Sequence, residues 1–322
     1  MRALWRGIAL SLAAWVGLVP PAAAQPTMPR AIKIVVPFSA GGSNDVIARA
    51  IAAPLGARLG TTVIVENKGG AAGVIGAEAV AKSPRDGSVL LLTSSSFLTA
   101  AATQPQLPYD PLAAFAPVAM VGRGPMLLAV SSTTTYKTPA EVVAGAKAAP
   151  GALNYGTAGV GSIAHLTTEL FDDVAKIRMT HVPYKGAANA AVDLAAGQIQ
   201  VMISNYSTIS PLMKAGKIRA LAVTSSQPHA SFPDLPPLAT IAPGFSVDIW
   251  VGVFAPAGTP PAVVERLNQE INAIAASPEL AQVLEPDGAL PEAISPALFA
   301  RRIRDELAQW KQIAAEHKIV AE

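Results

Sequence analysis

The stretch Ile32–Leu55, IKIVVPFSAGGSNDVIARAIAAPL, decides the fold class of this chain. It opens with Ile32–Val36, a mainly β-branched run that is typical of a buried strand. A turn rich in Pro, Gly and Ser follows, and apolar residues then recur at helical spacing from Val46 to Leu55. The stretch therefore predicts a strand, a turn and a helix in that order.

The same succession recurs along most of the chain. Further strand-like runs are Thr62–Val65, Val89–Leu92, Met126–Val130, Leu153–Gly156, Met179–Val182, Gln200–Ile203, Ile218–Val223 and Ser246–Phe254. Helical patterns follow several of them, and two long helical stripes, Val263–Ile274 and Phe299–Ala314, occupy the C-terminal part. Strands that alternate with helices form right-handed βαβ units, which predicts an α/β fold with doubly wound sheets.

Two strands have the positions expected of crossings between lobes. They are Met126–Val130 and Ser246–Phe254. If the chain crosses at both, residues 25–126 plus 251–322 form lobe 1, and residues 127–250 form lobe 2. Two lobes joined by two strands predict a hinged cleft.

The first 24 residues have the pattern of a secretory signal peptide. Arg2 and Arg6 precede the apolar run Gly7–Val19, and Ala22–Ala24 supplies a small-residue cleavage site. The apolar run is shorter than the ~20 residues that a membrane-spanning helix needs. We expect cleavage after Ala24 and export to the periplasm.

The composition excludes several classes of function. Hydrophobic residues make up 51% of the chain and charged residues 14%, which is typical of a folded domain. The formal charge of +2 is accounted for by Arg2 and Arg6, so a basic surface for nucleic acid is not expected. There is no cysteine, and the four histidines lack metal-ligand spacing. We expect no metal, no cofactor and no nucleic-acid partner.

Two glycine-rich turns are candidates for ligand binding, namely Gly41–Ser43 in lobe 1 and Gly159–Ser162 in lobe 2. Each precedes a helix, and a helix N-terminus carries unpaired N–H groups with about half a positive charge. In an open α/β sheet the ligand site lies at the carboxyl ends of the strands, where these turns are expected. We predict that the two turns face each other and bind a carboxylate, and that Gly42→Val or Ser162→Ala weakens its stabilising effect.

Enzymatic alternatives are less well supported. Gly159–Ala164 fits G-x-G-x-x-A, but the acidic residue expected about twenty positions later is missing. The chain has neither a Gly-Lys-Ser/Thr phosphate loop nor a G-x-S-x-G nucleophile elbow. Ser162 and His165 remain a possible nucleophile and base of a small-molecule hydrolase, with Asp193 as the orienting acid.

Seven segments, taken in order, carry a resemblance to a known family. They are Val36–Asp45, Val65–Gly73, Leu107–Pro111, His181–Gly186, Gly197–Met202, Ala215–Thr224 and Phe254–Pro260. The chain resembles the Bug-type extracytoplasmic solute receptors, which are the substrate-binding proteins of tripartite tricarboxylate transport systems. The resemblance implies a two-lobed periplasmic-binding-protein (Venus-flytrap) fold that closes on a small carboxylate, delivers it to a membrane permease and catalyses no reaction. It also implies that the loops matching Ser39–Asp45 and Thr157–His165 hold the carboxylate.

The predicted ligand-binding residues come from these turns and from neighbouring strand ends. They are Phe38, Ser39, Ala40, Gly41, Gly42, Ser43, Asp45, Ser94, Ser95, Thr157, Ala158, Gly159, Gly161, Ser162, His165, Lys185 and Asn205. For three of them another interpretation stays open: Asp45 as a helix-cap acid, Lys185 as a solvated turn residue, and Asn205 as a strand terminator.

Ligand identity and partners stay open at this stage. Ser204 stands where the family more usually has Asp, so the bound carboxylate is not identified. We expect a monomer whose partners are an organic acid and integral membrane permease subunits. A periplasmic sensor that presents its ligand to a signalling membrane protein is the alternative, and co-purification with a permease would distinguish the two.

Overall fold

The computed structural model describes residues 27–38, 40–70, 73–184 and 186–321. The predicted signal peptide and its cleavage site lie outside these residues. The strands are β1 Ala31–Val36, β2 Thr62–Asn67, β3 Val89–Ser94, β4 Phe115–Pro125, β5 Leu127–Ser131, β6 Asn154–Thr157, β7 Thr180–Pro183, β8 Val201–Ser204, β9 Ile218–Val223 and β10 Asp248–Pro256. The helices are α1 Ser43–Leu59, α2 Val74–Ala81, α3 Ser96–Thr103, α4 Pro139–Ala148, α5 Ile163–Ala175, α6 Ala187–Ala196, α7 Tyr206–Lys214, α8 Pro261–Ala275, α9 Pro278–Leu284 and α10 Pro296–Glu316.

The strands form two five-stranded sheets that share one internal order. The first sheet has the order β2-β1-β3-β10-β4 and the second has β7-β6-β8-β5-β9. In the first, β10 runs antiparallel to both neighbours, and in the second β5 does the same. The remaining pairs, β1 with β2 and β3, and β6 with β7 and β8, are parallel. The predicted α/β class is confirmed. Each sheet is mixed, and its antiparallel strand, β10 or β5, is the one that the chain enters directly after it crosses from the other lobe.

The chain changes sheet at two points. Met126 separates β4 of the first sheet from β5 of the second. On the return, the Val247 N–H donates to the Thr224 carbonyl beside the second sheet, whereas Asp248 already pairs with Pro125 of β4. The predicted strand Ser246–Phe254 therefore lies in the first sheet from residue 248 onward. We propose lobes of 27–126 plus 248–321 and of 127–247, with the second boundary slightly earlier than the predicted residue 250.

Strand β4 has no counterpart among the strands expected from the sequence. Its residues, FAPVAMVGRGP, include two prolines and two glycines, which are depleted in strands. The glycines are needed because another segment of the same chain lies against them. A Cβ on Gly124 would stand 2.8 Å from the Gly288 carbonyl oxygen and from the Ala289 Cα. β4 thus brings the segment after α9 close to the first sheet.

Helices cover both faces of the first sheet. One face carries α1, α8 and α9, with buried residues such as Ile34, Leu267 and Ile271. The other face packs against α10, and this core continues without a break into the second lobe through Phe171 and Tyr155. Fully burying side chains of this size stabilises the fold by roughly 1.5–3 kcal/mol each. No helix in the described part of the chain has the length and hydropathy that crossing a membrane requires.

Candidate ligand-binding cleft

A cavity of about 290 Å³ lies where the two lobes meet. Its walls come mainly from the first lobe, and the second lobe contributes Ile163 and Asn205. The polar lining consists of Gly42, Ser43, Asn44, Ser94, Ser95, Ser96, Asn205 and Asp287. The apolar lining consists of Phe38, Ile47, Gly122, Gly124, Ile163, Ile249, Trp250, Val251, Val283, Leu284 and Ala289.

Four helix N-termini converge on this cavity. Gly42 is the N-cap of α1, Ser95 of α3 and Asn205 of α7, while Ile163 is the first residue of α5. Each of these residues lines the cavity. Helix N-termini present unpaired N–H donors and partial positive charge, so the cavity favours an anion even though no Lys, Arg or His is among its described lining residues.

The turn before α1 is braced by Asp45. Its Oδ2 accepts from the Gly41 N–H at 2.8 Å and from Arg49 Nε at 3.0 Å, and its Oδ1 accepts from Asn67 Nδ2 at 2.9 Å. The hydrogen bond from Arg49 and that from Gly41 lower the pKa of Asp45 to about 2. Both carboxylate oxygens therefore have partners within the protein, and Asp45 holds the turn in place.

Residues of the first turn differ in how they relate to the cavity. Phe38, Gly42 and Ser43 line it, whereas Ala40, Gly41 and Asp45 do not. Ser39 lies outside the described residues. At the end of β3, both Ser94 and Ser95 line the cavity, and the Ser95 hydroxyl accepts from the Trp250 N–H at 2.9 Å. That bond ties the floor of the cavity to β10.

The second turn is held by its own side chains. Thr157 Oγ1 accepts from the Gly159 N–H at 3.1 Å, and Ser162 Oγ accepts from the His165 N–H at 3.3 Å as the N-cap of α5. Gly161 has a φ of +76° and lies against α3, since a Cβ there would stand 2.5 Å from Thr103 Oγ1. Among the predicted residues of this turn, Thr157, Ala158, Gly159, Gly161, Ser162 and His165 lie outside the cavity lining, where Ile163 stands instead.

His165 belongs to a buried group of aromatic side chains. Its ring stacks on His181 with centroids 3.7 Å apart, and its Nδ1 accepts from the Gly161 N–H at 3.2 Å. Burial lowers the pKa of His165 to about 3 and that of His181 to about 4, so both rings are neutral near pH 7. Within the described chain, the Ser162 hydroxyl makes no hydrogen bond to the His165 ring. Asp193 instead accepts from the Tyr184 hydroxyl at 2.8 Å, so the geometry gives no support to a nucleophile, base and acid arrangement.

Asn205 and Asp287 meet at the start of α7. Asn205 forms no side-chain cap on this helix and is one of the residues that line the cavity. Asp287, from the short 3₁₀ turn Glu285–Asp287 of the first lobe, accepts from the Ser207 N–H at 2.8 Å. Lys185 lies outside the described residues. In the described part of the chain, no group of three or more His, Asp or Glu residues has the arrangement of a metal site.

Several lining residues were not predicted from the sequence. They are Asn44, Ile47, Ser96, Gly122, Gly124, Ile163, Ile249, Trp250, Val251, Val283, Leu284, Asp287 and Ala289. Trp250 is a core residue: it is 3% exposed and packs edge-on against Phe299. Its position on β10 also places it in the cavity wall.

Two α/β lobes that enclose an anion-favouring cleft define the class of two-lobed solute-binding proteins. Residues 47–319 match the family described as the tripartite tricarboxylate transporter family receptor. BugT of Bordetella pertussis is 37% identical over 303 residues, which cover 93% of both chains. The chain belongs to this family of receptors.

Solved structures agree with this assignment. The structure of R. palustris Rpa4515 with adipate is 35% identical, has a TM-score of 0.78, and covers 90% of this chain and 98% of that one. MatC (Rpa3494) from Rhodopseudomonas palustris with bound malate is 32% identical with a TM-score of 0.74, and covers 88% and 98%. The predicted resemblance to Bug-type receptors is confirmed.

Proposed function

We propose that this protein is a periplasmic receptor that binds a small carboxylate in the interlobe cavity and delivers it to a membrane permease. The observation that carries the proposal is the convergence of four helix N-termini on one cavity whose described lining contains no cationic side chain. Backbone N–H groups there match the charge of a carboxylate without requiring a basic residue. The relatives bound to adipate and malate support the same class of ligand.

The residues proposed to contact the ligand are the predicted ones that line the cavity: Phe38, Gly42, Ser43, Ser94, Ser95 and Asn205. Other members of the predicted set act by shaping the turns, as Asp45 and Ser162 do. The function is binding without catalysis. The described cleft presents no activated nucleophile, and His165 in the neighbouring turn is neutral and accepts a hydrogen bond from the Gly161 N–H.

The receptor role accounts for the remaining predictions. The signal-like N-terminus and the family membership both favour export to the periplasm. The partners are then a small organic acid and the integral membrane subunits of a permease, with the receptor acting as a monomer. Closure of the lobes on the ligand would create the surface that the permease recognises, since only contacts made in the closed state shift the equilibrium toward it.

Native mass spectrometry of the purified protein, followed by thermal unfolding with mono-, di- and tricarboxylates and with neutral sugars, tests the binding function. A ligand at about 100 times its Kd raises the free energy of unfolding by about 2.7 kcal/mol. We expect at least one carboxylate to raise the Tm and no sugar to do so. Stabilisation by sugars alone, or turnover of a bound acid, would contradict the proposal. Co-purification with permease subunits tests delivery.

A further inference from the structure

The cavity combines a limited positive potential with an extensive apolar wall. We propose that this combination selects a monocarboxylate with an apolar body over dicarboxylates and tricarboxylates. The inference rests on the proposed function, because it specifies the ligand of the same cleft. It is carried by three features of the lining: a protein carboxylate at one helix N-terminus, the apolar wall, and the distribution of nearby cations.

The protein itself supplies one anion to the cavity. Asp287 Oδ1 accepts from the Ser207 N–H at 2.8 Å, in the first turn of α7, and Asp287 lines the cavity. Four helix N-termini, each with about half a positive charge, match about two anionic charges in total. Since the Asp287 carboxylate already provides one of these charges, the cavity has potential left for about one more.

Much of the cavity wall beside the serines that end β3 is apolar. It is formed by Ile249 and Val251 of β10 together with Val283, Leu284 and Ala289 around the end of α9. Close approach of β4 completes it, since a Cβ on Gly122 would lie 3.0 Å from Leu284 Cδ1. A carboxylate placed here would lose its hydration without gaining hydrogen-bond donors, whereas a hydrocarbon segment gains from burial.

Nearby cations are already paired with protein carboxylates. Arg49 binds Asp45 at 3.0 Å, on the outer side of the first turn. Arg123, which follows Gly122 on β4, lies 3.3 Å from Asp248 and 3.0 Å from Glu292. Neither arginine lines the cavity. A second ligand carboxylate would therefore meet the Asp287 charge with no cation among the described lining residues to offset it.

Isothermal titration calorimetry with hexanoate, adipate and tricarballylate tests the inference. Hexanoate and adipate have the same chain length and differ in that adipate has a carboxylate where hexanoate has a methyl group, and tricarballylate carries three carboxylates. We expect hexanoate to bind at least about ten-fold more tightly than adipate or tricarballylate, a difference of about 1.4 kcal/mol. Equal or tighter binding of adipate or tricarballylate overturns the inference and leaves the receptor function intact. Binding of none of these acids or other carboxylates contradicts the receptor function itself.

The role of Asp287 is tested with Asp287→Asn, which keeps an oxygen acceptor for the Ser207 N–H and removes the charge. We expect its affinity for adipate to rise about five-fold or more, and by clearly more than its affinity for hexanoate, because adipate brings the second carboxylate. Glu265→Gln is the matched control, because Glu265 is exposed on α8 and outside the cavity lining. An unchanged ratio between the two acids in Asp287→Asn would overturn the assigned role. The wild-type ranking stands as an independent test if the variant is unstable.

Discussion

His317 Nε2 lies 2.7 Å from Asp173 Oδ2, and this contact joins the end of α10 in the first lobe to α5 in the second. The other ring nitrogen, Nδ1, lies 2.7 Å from Glu169 Oε2. Burial disfavours the charged ring, but the hydrogen bond to Asp173 and the negative charge of Glu169 outweigh it and raise the pKa of His317. The two lobes are thus held together on this side by a histidine that is protonated more readily than usual.

Replacing this histidine should change the alkaline limb of the stability profile. Because the pKa of His317 is raised in the folded state, its contribution is full below the unfolded pKa of about 6.5 and is lost as pH rises through the folded value. The wild type should lose up to about 1 kcal/mol of its free energy of unfolding between about pH 6 and pH 9, and His317→Gln should not show this loss. Urea unfolding across that range measures it. Burial lowers the pKa of His229, so the control His229→Gln should keep the wild-type slope above about pH 7.5, where that ring is neutral in both the folded and the unfolded state. Identical slopes there in wild type and His317→Gln would contradict the prediction.

The stacked pair of His165 and His181 predicts the opposite behaviour in acid. Their pKa values are lowered to about 3 and about 4, so the folded state resists protons that the unfolded chain binds below about pH 6.5. Stability is therefore lost as pH falls from that value. In His165→Asn, whose amide oxygen can still accept from the Gly161 N–H, we expect the acid slope to decrease by about 1 kcal/mol per pH unit. Chemical unfolding between about pH 4 and pH 6.5 measures this slope. Equal slopes in wild type and His165→Asn would contradict the prediction.

Three serine variants separate ligand contacts from helix capping. Ser43 lines the cavity and its hydroxyl makes no hydrogen bond to another described residue, so Ser43→Ala should weaken carboxylate binding about five-fold or more. Ser162 caps α5, and Ser162→Ala should lower the free energy of unfolding by about 1 kcal/mol. Calorimetric titration and urea unfolding measure the two effects.

Ser295→Ala is the matched control for capping. Ser295 caps α10 through the Leu298 N–H and does not line the cavity, so its loss should lower stability as Ser162→Ala does and leave affinity unchanged. Unaltered binding in Ser43→Ala would contradict a ligand contact at the start of α1. A large loss of affinity in Ser162→Ala would instead place the cap hydroxyl on the ligand.

The close approach at Gly124 predicts a coupled loss of stability and binding. A Cβ there would lie 2.8 Å from the Gly288 carbonyl oxygen, which is main chain and cannot rotate away. Gly124→Ala should therefore displace the segment that carries Asp287 and Ala289, with a cost of about 1–3 kcal/mol. Gly216→Ala is the control, because Gly216 has open space around it and only its φ of +69° resists a side chain. Unfolding measures the stability of both variants, and calorimetric titration measures their affinity for the ligand. If the segment does not shape the cleft, the two variants will have the same affinity.

The local signals in the sequence account for the fold class and for six of the nineteen described residues that line the cleft. Strand, turn and helix are adjacent in Ile32–Leu55, so periodicity and turn residues suffice to predict the start of α1 and the cavity residue Ser43. The serines after β3 follow from the same rule. These features depend on residues that are close in the chain.

The rest of the cleft depends on contacts between distant residues. Asp287 reaches Ser207 over 80 positions, and the Ser95 hydroxyl reaches the Trp250 N–H over 155. No local pattern in the sequence indicates such pairings. The glycines and prolines of β4 are untypical of a strand, and the conformation of β4 is fixed by the part of the chain that packs against it. Tertiary contact therefore decides the apolar wall, and with it the chemistry proposed for the ligand.

The position of β10 also sets the order in which the molecule can be assembled. The position between β3 and β4 in the first sheet is filled by a strand that is synthesised more than a hundred residues after its neighbour β3, since Val251 pairs with Ser94. The second sheet draws all five strands from one continuous stretch, Leu127–Val223. During synthesis or translocation, the second lobe can thus complete its sheet first, while the first lobe keeps an unfilled gap until the last quarter of the chain emerges.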